Sequence, residues 1–147
     1  MFDTTVPLSN YILTVPPAPN AYTKPLLLLV DELSASGGDM FAAIIQDNHR
    51  GPLFGMRTMG AGGSVSSFNC TVFTESVCFI TQSLMNRGTT ISNTEFPPSP
   101  YIENVGVRPD IVVDYMTNAN LLSAGAPFVQ AFTDSAVKLA KPTAVQH

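Results

Sequence analysis

One stretch, residues 26–47, constrains the fold more than any other part of the chain. It begins with an unbroken apolar run, Leu26–Val30, which is typical of a strand that is buried on both faces beneath helices. After a short polar turn, apolar residues recur at the i, i+4 spacing of one helix face, namely Met40 with Ile44 and Phe41 with Ile45. The stretch therefore predicts a buried strand, a turn and a helix.

The helix should end where glycine and proline interrupt the pattern. Gly51 can adopt the left-handed conformation that ends many helices, and Pro52 cannot continue one. Downstream, the pattern predicts strands at 53–55, 65–70, 77–82 and 111–113, a loop at 83–99 and a helix at 127–140. This order, a β-α-β unit followed by an antiparallel pair and a terminal helix, predicts an α/β core.

Residues 1–25 differ in composition from the rest of the chain. Prolines recur through them and prevent any long element. We interpret residues 1–25 as a connection from preceding structure and residues 26–147 as belonging to one domain. A chain of 147 residues is long enough for one domain with a core of its own.

The overall composition argues against several classes of protein. A hydrophobic content of 45% and a charged content of 12% fit a globular chain rather than a disordered one. A net charge of −4 with only seven basic residues argues against nucleic-acid binding. No apolar run approaches the roughly 20 residues that span a bilayer. The first residues lack the basic and apolar regions of a signal peptide.

Cys70 and Cys78 leave two alternatives open. A hairpin could join them in a disulfide, or both could be buried as small apolar thiols. Neither cysteine lies beside a histidine or a basic residue in the sequence, which argues against a catalytic thiol. Two cysteines without a clustered third ligand also make a poor zinc site. We therefore expect no metal and no other cofactor.

Ser36 lies at the predicted turn between the strand and the helix, where a serine has a chemical use. The turn exposes its hydroxyl, and free N–H groups at a helix N-terminus can bind a developing oxyanion. Gly37 follows directly, so its N–H is the candidate oxyanion donor that no side chain blocks. In the alternative interpretation, Ser36 caps the helix and Asp39 occupies the reciprocal capping position. This stretch alone leaves both interpretations open.

Two ordered motifs resemble those of the tail-specific, or C-terminal-processing, serine peptidases. The first comprises a strand, a Ser-Ala-Ser turn, a helix ending in Gln-Asp, a Gly-x-Arg-Thr segment and a glycine-rich loop, as in VDELSASGGDMFAAIIQDNHRGPLFGMRTMGAGG. The second is ENVGVRPD at residues 103–110. The resemblance implies a crotonase-like, ClpP-like architecture with Ser36 as the nucleophile. It also implies that residues 26–147 are the C-terminal part of the catalytic domain.

Ala61 departs from the pattern of the Ser-Lys members of this family, which carry lysine at that position of the glycine-rich loop. The Gly-Ala-Gly-Gly form resembles instead the branch that contains the chlamydial protease-like activity factor and, more distantly, the tricorn core protease. That branch uses a Ser-His-Glu triad. His49 lies about three helical turns beyond Ser36, roughly 20 Å away, and cannot be its base, and His147 ends the chain. The resemblance therefore implies that the triad histidine lies outside this chain.

The second motif supplies a candidate for the third triad member. Glu103 matches the family pattern, with Glu95 as the fallback because loop lengths vary. The alternative for Glu103 is a solvated loop carboxylate. Asp47 matches the family's aspartate near the end of the nucleophile helix, which is too far from the turn for direct chemistry. We expect Asp47 to form a supporting ion pair with Arg57.

The sequence and the resemblance together predict the nucleophile-bearing portion of a serine endopeptidase catalytic domain, inactive as an isolated chain. The alternative is a non-catalytic ligand- or peptide-binding module on the same scaffold, as in the interphotoreceptor retinoid-binding proteins, which resemble this family. The expected partners are a protein or peptide substrate, the missing N-terminal half of the domain and, through exposed apolar surface, a second copy of the chain. We expect the full-length protein to be secreted or periplasmic.

Overall fold

The computed structural model describes residues 19–70, 72–73, 75–91 and 97–141, so residues 1–18, Glu95 and His147 lie outside the described part. In chain order the elements are β1 (Leu28–Val30), α1 (Gly37–Asp47), β2 (Leu53–Gly55), β3 (Gly63–Asn69), β4 (Val77–Leu84), β5 (Asn86–Ile91), β6 (Ser99–Tyr101), β7 (Ile111–Val112), α2 (Asn118–Leu122) and α3 (Ala126–Ala140). The predicted mixture of a β-α-β unit, an antiparallel pair and a terminal helix is confirmed.

A parallel sheet with the strand order β1-β2-β7 carries the core. The central strand is β2, in which Leu53 and Phe54 are 0% and 1% exposed. β1 lies at the edge of the described sheet, and Leu29 is 46% exposed. The prediction of a strand over residues 26–30 that is buried on both faces is therefore wrong. An apolar run indicates burial, but it does not indicate which strand is central.

The face of α1 that packs on the sheet is built from small residues. Met40, Phe41 and Ile44 are 46%, 51% and 50% exposed, so the predicted apolar face of this helix is wrong apart from Ile45. Alanines allow the helix to approach the sheet closely, and the larger apolar residues lie outside. The buried residues of the helix are Asp39, Ala42, Ala43 and Ile45. The core around them contains Val30, Leu53, Ile102 and Val107.

His49, and not Gly51, adopts the left-handed conformation after α1. It has a φ of 50°, and its N–H donates to the Gln46 carbonyl at 3.0 Å. Gly51 has a different reason to be glycine, because a Cβ there would lie 2.1 Å from the carbonyl oxygen of Leu26. The residue therefore permits close approach of two backbone segments.

Strands β3 and β4 form an antiparallel ribbon, which we call the ribbon (residues 63–84). Its apolar side chains are largely exposed, with Val65 at 57%, Phe79 at 68% and Ile80 at 51%. Phe73, at the tip, is 93% exposed. The ribbon therefore has the regular pairing expected from the sequence but little apolar cover from the described residues.

The segment predicted as a loop at 83–99 contains β5, so that prediction is wrong. β5 pairs antiparallel with β6, with Asn86 opposite Tyr101. The sequence of β5, NRGTTI, lacks the apolar alternation that indicates a strand. Its strand conformation depends instead on pairing with β6 and on contacts of Arg87 with α1.

Cys70 and Cys78 are both free and exposed. The register pairs Cys78 with Phe68, and the Cys70 N–H donates to the Ser76 carbonyl at 3.0 Å. The two cysteines are therefore not directly opposite each other on the ribbon. Both sequence-based alternatives, a disulfide and two buried thiols, are wrong.

The C-terminal helices cover part of the sheet. The short helix α2, which the sequence did not predict, begins after Thr117, whose hydroxyl accepts from the Asn120 N–H at 3.2 Å. In α3, Phe128 packs edge-on against Phe54 of the central strand, with ring centroids 5.5 Å apart. Within the described part of the chain, no helix combines the length and apolar character needed to cross a membrane.

Candidate active site

Ser36 lies between β1 and α1, directly before the first helical residue. Its backbone has a φ of 51° and a ψ of −107°, a combination that is rare for a residue other than glycine. The residue is exposed, and its carbonyl accepts from the Met40 N–H at 2.9 Å in the first turn of α1. Such a strained strand-to-helix turn persists only when its surroundings hold it, and it is a known way to present a nucleophilic serine.

The capping interpretation of Ser36 is wrong, because its side chain makes no capping hydrogen bond. The Gly37 N–H also has no acceptor among the described residues. A Cβ placed on Gly37 would meet no atom within 4 Å, so open space lies beside this backbone. The hydroxyl of one residue and the N–H of the next are therefore both available to a bound substrate.

Asp39 fastens the glycine-rich loop to the first turn of α1. The residue is 0% exposed, and one carboxylate oxygen accepts from the Thr58 hydroxyl and from the Gly60 N–H at 2.9 Å. The other oxygen accepts from the Ala61 N–H at 3.1 Å. The predicted reciprocal capping role of Asp39 is therefore wrong. Its carboxylate instead holds the loop beside the Ser36 turn.

Thr58 extends this network to the second motif. Its hydroxyl accepts from the Val107 N–H at 2.7 Å, and its own N–H donates to the Val107 carbonyl at 3.0 Å. Gly60 and Gly106 have φ values of 83° and 70°, and the motifs meet backbone to backbone at these glycines. A Cβ on Gly106 would lie 2.4 Å from the Thr58 carbonyl oxygen. A residue larger than glycine at position 106 would therefore clash with the Thr58 carbonyl, where the two motifs cross.

Glu103 lies close to Gly63, the first residue of the ribbon. Its carboxylate oxygen is 3.4 Å from where a Cβ of Gly63 would be, and a Cβ on Gly62 would lie 2.6 Å from the Glu103 nitrogen. The next residue, Asn104, donates its N–H to the Gly60 carbonyl at 2.8 Å. In the described part of the chain, the Glu103 carboxylate has no hydrogen-bond partner. It is a partly exposed acceptor in a backbone segment that is tied to the glycine-rich loop.

Asp47 pairs with Arg87, not with Arg57 as the sequence suggested. The Nε of Arg87 donates to an Asp47 oxygen at 3.2 Å, and its Nη2 forms the ion pair. Burial by itself raises the pKa of Asp47, but the hydrogen bonds and charge of Arg87, with Thr89 and the Gly88 N–H, outweigh it. The pKa of this carboxyl therefore lies below its ordinary value.

Arg57 supports the second motif. Its Nη1 donates to the Val105 carbonyl at 2.8 Å and also lies 3.1 Å from where a Cβ of Gly106 would be. The guanidinium therefore binds the backbone turn that follows Glu103. The supporting role predicted for Arg57 remains a prediction, and its partner is this turn.

The described residues supply no base to Ser36. Its hydroxyl has no hydrogen-bond partner among them, and His49 lies beyond the far end of α1. The lysine position of the Ser-Lys pattern is occupied by Ala61. Hydrogen bonds thus link the Ser36 turn, the glycine-rich loop and the Glu103 segment, and no described residue is bonded to Ser36 as a proton acceptor.

Sequence reasoning missed two residues that organise this region. Asp39 was interpreted from its local position alone, although its partners are 19 to 22 residues away. A signal was present, since Asp39 shares a helix face with Ala42 and Ala43, which are small enough for close packing. Arg87 lies in the segment predicted as a loop, and no sequence pattern around it indicates its role.

A cavity of about 370 Å³ opens at the C-terminal end of β1. Val30, Ser34, Tyr115 and Phe128 are among the residues that line it. Burial, followed by the charge of Glu32 and its neighbouring carboxylates, raises the pKa of Tyr115. The cavity is mainly apolar and begins two residues before Ser36, so it could hold an apolar group near the turn.

The family model described as Peptidase family S41 matches residues 5–113. An uncharacterized protein of Chlamydia muridarum is 35% identical over 116 residues, which cover 78% of this chain and 18% of that protein. The tricorn protease of Thermoplasma volcanium is 31% identical over 117 residues, which cover 74% of this chain and 10% of that protein.

The fold is similar to that of mature CPAF, whose structure was solved in complex with lactacystin. The TM-score is 0.72 and the sequence identity 29%, over 84% of this chain and 22% of that chain. The chain thus spans between 10% and 22% of the lengths of these three relatives. The similarity therefore concerns one part of much longer proteins.

Proposed function

Because the chain belongs to peptidase family S41, we propose that it is the nucleophile-bearing portion of a serine endopeptidase catalytic domain. The observation that carries this proposal is the turn at Ser36, which is exposed, has a φ of 51° and does not cap α1. A glycine-rich loop, fastened by the buried Asp39, lies beside it. The site hydrolyses peptide bonds through an acyl-enzyme.

Each group has one role in this reaction. The Ser36 oxygen attacks the carbonyl carbon of the scissile bond while its proton passes to a histidine, and the Gly37 N–H binds the resulting oxyanion. Collapse of the intermediate expels the amine, which takes the proton from the histidine. Water then attacks the Ser36 ester, with the same histidine as base. The Glu103 carboxylate orients the imidazole and stabilises its positive charge.

We place the histidine in polypeptide outside this chain, as the resemblance to the Ser-His-Glu branch implies, and the described residues offer Ser36 no base. Lysine at position 61 would not replace it. A lysine at this position would have to lose its proton to act as a base, which requires a matched environment that a cleft built for histidine need not supply. We expect Ala61→Lys to leave the isolated chain without peptidase activity. Ser36-dependent activity in this variant would contradict the triad assignment.

A fluorophosphonate probe tests the nucleophile directly. We expect no labelling of the isolated chain and labelling of its complex with the N-terminal half of the domain. Ser36→Ala should abolish that labelling. Ser34→Ala is the matched control, since Ser34 lies in the same turn and its hydroxyl donates to Asp31 at 2.9 Å. Labelling of the complex that survives Ser36→Ala would overturn the assignment. Lactacystin, which mature CPAF binds, is a second compound to test for protection.

A non-catalytic binding module is the second candidate function. It is favoured by the apolar cavity of about 370 Å³ at the end of β1 and by the lack of a base among the described residues. On this hypothesis a fluorescent fatty acid binds the chain, Val129→Trp at the cavity wall abolishes binding, and Ser36→Ala has no effect. Labelling of Ser36 in the complex would favour the enzyme, and ligand binding without any labelling would favour the module.

A further inference from the structure

The C-terminal end of α1, opposite to Ser36, carries a polar group of side chains that we call the helix-end cluster: Gln46, Asp47, Arg87 and Asp110. The side chains of Arg87 and Asp47 are only 5% and 18% exposed. Arg87 Nε donates to Asp47 at 3.2 Å, and its Nη2 donates both to Asp47 and to the side-chain amide oxygen Oε1 of Gln46, the latter at 3.0 Å. A guanidinium held by three bonds fixes β5 on the helix.

Gln46 joins the same cluster to the end of the second motif. Its amide nitrogen donates to the Arg108 carbonyl at 3.0 Å and to the Asp110 carboxylate at 3.2 Å. The other Asp110 oxygen accepts from the Leu53 N–H at 2.8 Å, at the start of the central strand. The side-chain amide of Gln46 thus connects two segments: its oxygen binds Arg87 of β5, and its nitrogen binds residues 108–110.

Glu103 lies between these two anchors. On its N-terminal side, β6 pairs with β5, with Asn86 opposite Tyr101, and the Ile102 N–H donates to the Met85 carbonyl at 3.2 Å. On its C-terminal side the chain reaches the Gln46 contacts. No hydrogen bond from a described residue holds the Glu103 carboxylate itself. Its position therefore depends on its backbone segment, which Arg57 and the glycine-rich loop hold in the middle and which the helix-end cluster contacts on either side.

We propose that Arg87, acting through Asp47 and Gln46, is a positioning residue that sets the location of Glu103 relative to Ser36. α1 has 11 residues and is a rigid rod of about 16 Å. It carries Ser36 before its first residue and the cluster at its last. One short helix therefore ties the nucleophile to the segment of the carboxylate. The proposal rests on the proposed function, which assigns Glu103 to the triad.

Kinetics of the complete peptidase, with the histidine-supplying polypeptide present, test this role. Arg87→Lys keeps the charge but loses the planar fork, and we expect kcat to fall about 10- to 100-fold while KM changes less than about twofold. Arg50→Lys is the matched control. Arg50 lies near the same helix end but donates to the Tyr22 and Lys24 carbonyls at 2.7 and 2.9 Å, and its variant should retain activity.

A double-mutant cycle distinguishes positioning from a general loss of structure. If Arg87 acts through Glu103, then Arg87→Lys in a Glu103→Gln background should cost no further kcat. Fully additive losses, or an unchanged kcat in Arg87→Lys, would overturn the proposal. Gln46→Met supplies a second variant that leaves no charge unpaired, and it should behave in the same way.

Amide hydrogen exchange tests the proposal without activity. We expect Arg87→Lys to speed exchange of the Asn104 and Val107 N–H groups, which donate to the Gly60 carbonyl and the Thr58 hydroxyl. Exchange within α1 should not change. Unchanged exchange at both amides would overturn the positioning role. If Glu103→Gln leaves kcat intact, the triad assignment fails, and this exchange measurement still decides whether Arg87 positions the segment.

Discussion

The site region and the ribbon are built on opposite principles. In the site region, which comprises the parallel sheet, α1 and the Asp39 network, Asp39 and Thr58 are 0% exposed and fully hydrogen-bonded. In the ribbon the backbone pairing is regular, but Phe79 is 68% exposed and Val65 is 57% exposed. The comparison teaches that regular secondary structure and a buried interior need not coincide. Substitutions should therefore act on stability in the first region and on association in the second.

The largest expected difference concerns apolar truncation. Leu53→Ala, at a residue that is 0% exposed, should lower the free energy of unfolding by about 2–5 kcal/mol because it leaves a cavity in the core. Phe79→Ala, at a residue that is 68% exposed on the ribbon, should cost less than about 1 kcal/mol. Urea unfolding of both variants measures the difference. Equal losses would show that the ribbon is as well packed as the sheet.

The next difference concerns polar groups. Asp39→Asn turns an amide nitrogen towards backbone N–H donors in a buried place, and it should cost about 2 kcal/mol. Ser66→Ala is the ribbon counterpart. Its hydroxyl donates to Gln82 at 2.8 Å in an exposed position, and the change should stay within about 0.5 kcal/mol. Comparable urea midpoints for the two variants would mean that the Asp39 network is dispensable.

The pH dependence of stability should distinguish the Asp47 ion pair from an exposed carboxylate elsewhere in the chain. The pKa of Asp47 is lowered below its ordinary value of 3.8, so its ionised form stabilises the folded state above that pH. This stabilisation should be lost as pH falls through the folded-state value. The stability deficit of Asp47→Asn should therefore be largest near neutral pH and shrink below about pH 4. Asp134→Asn, at an exposed carboxylate on α3, is the control. A deficit that is constant with pH would contradict the role of the ion pair.

The smallest effect on stability is expected on one face of the ribbon. Val65 and Phe79 lie on the same face, because Val65 pairs with Thr81 and Phe79 with Ser67. We expect the isolated chain to self-associate through exposed apolar surface. Val65→Ser with Phe79→Ser should shift sedimentation towards the monomer while changing unfolding by no more than about 0.5 kcal/mol per site. A wild-type chain that is monomeric at every concentration would refute the association.

The sequence predicted the turn at Ser36 and the extent of α1 because their signals are local. An apolar run, a glycine pair and a recurring i, i+4 spacing are enough to locate both. Interpretation from local sequence alone failed for Asp39, because in the first turn of a helix the same position can cap the helix or face the core. Only the distant glycine-rich loop decides between them. Helix propensity and capping patterns contain no information about that loop.

The sheet shows the same limit of local sequence patterns. Apolar residues identified β1 and β2 but not their order, because the position of a strand depends on all its neighbours. β5 was missed because its strand conformation comes from pairing and from the Arg87 ion pair rather than from its own residues. Of the candidate site, the resemblance assigned roles to Ser36 and Glu103, and both roles remain predictions. The helix-end cluster between their segments depends on contacts that no single stretch of sequence encodes.

The hydrogen bonds of the Asp39 network also have a consequence for the order of folding. They join residues that are 19 to 49 positions apart, and the helix-end cluster joins residues 64 apart. Contacts of this range form late, because the entropy of closing large loops must be overcome before they contribute. α1 can form early from local contacts. The strained backbone of Ser36 depends on its surroundings and should be adopted only at the end. A newly made chain would therefore acquire the strained Ser36 turn last, after the rest of its structure has formed.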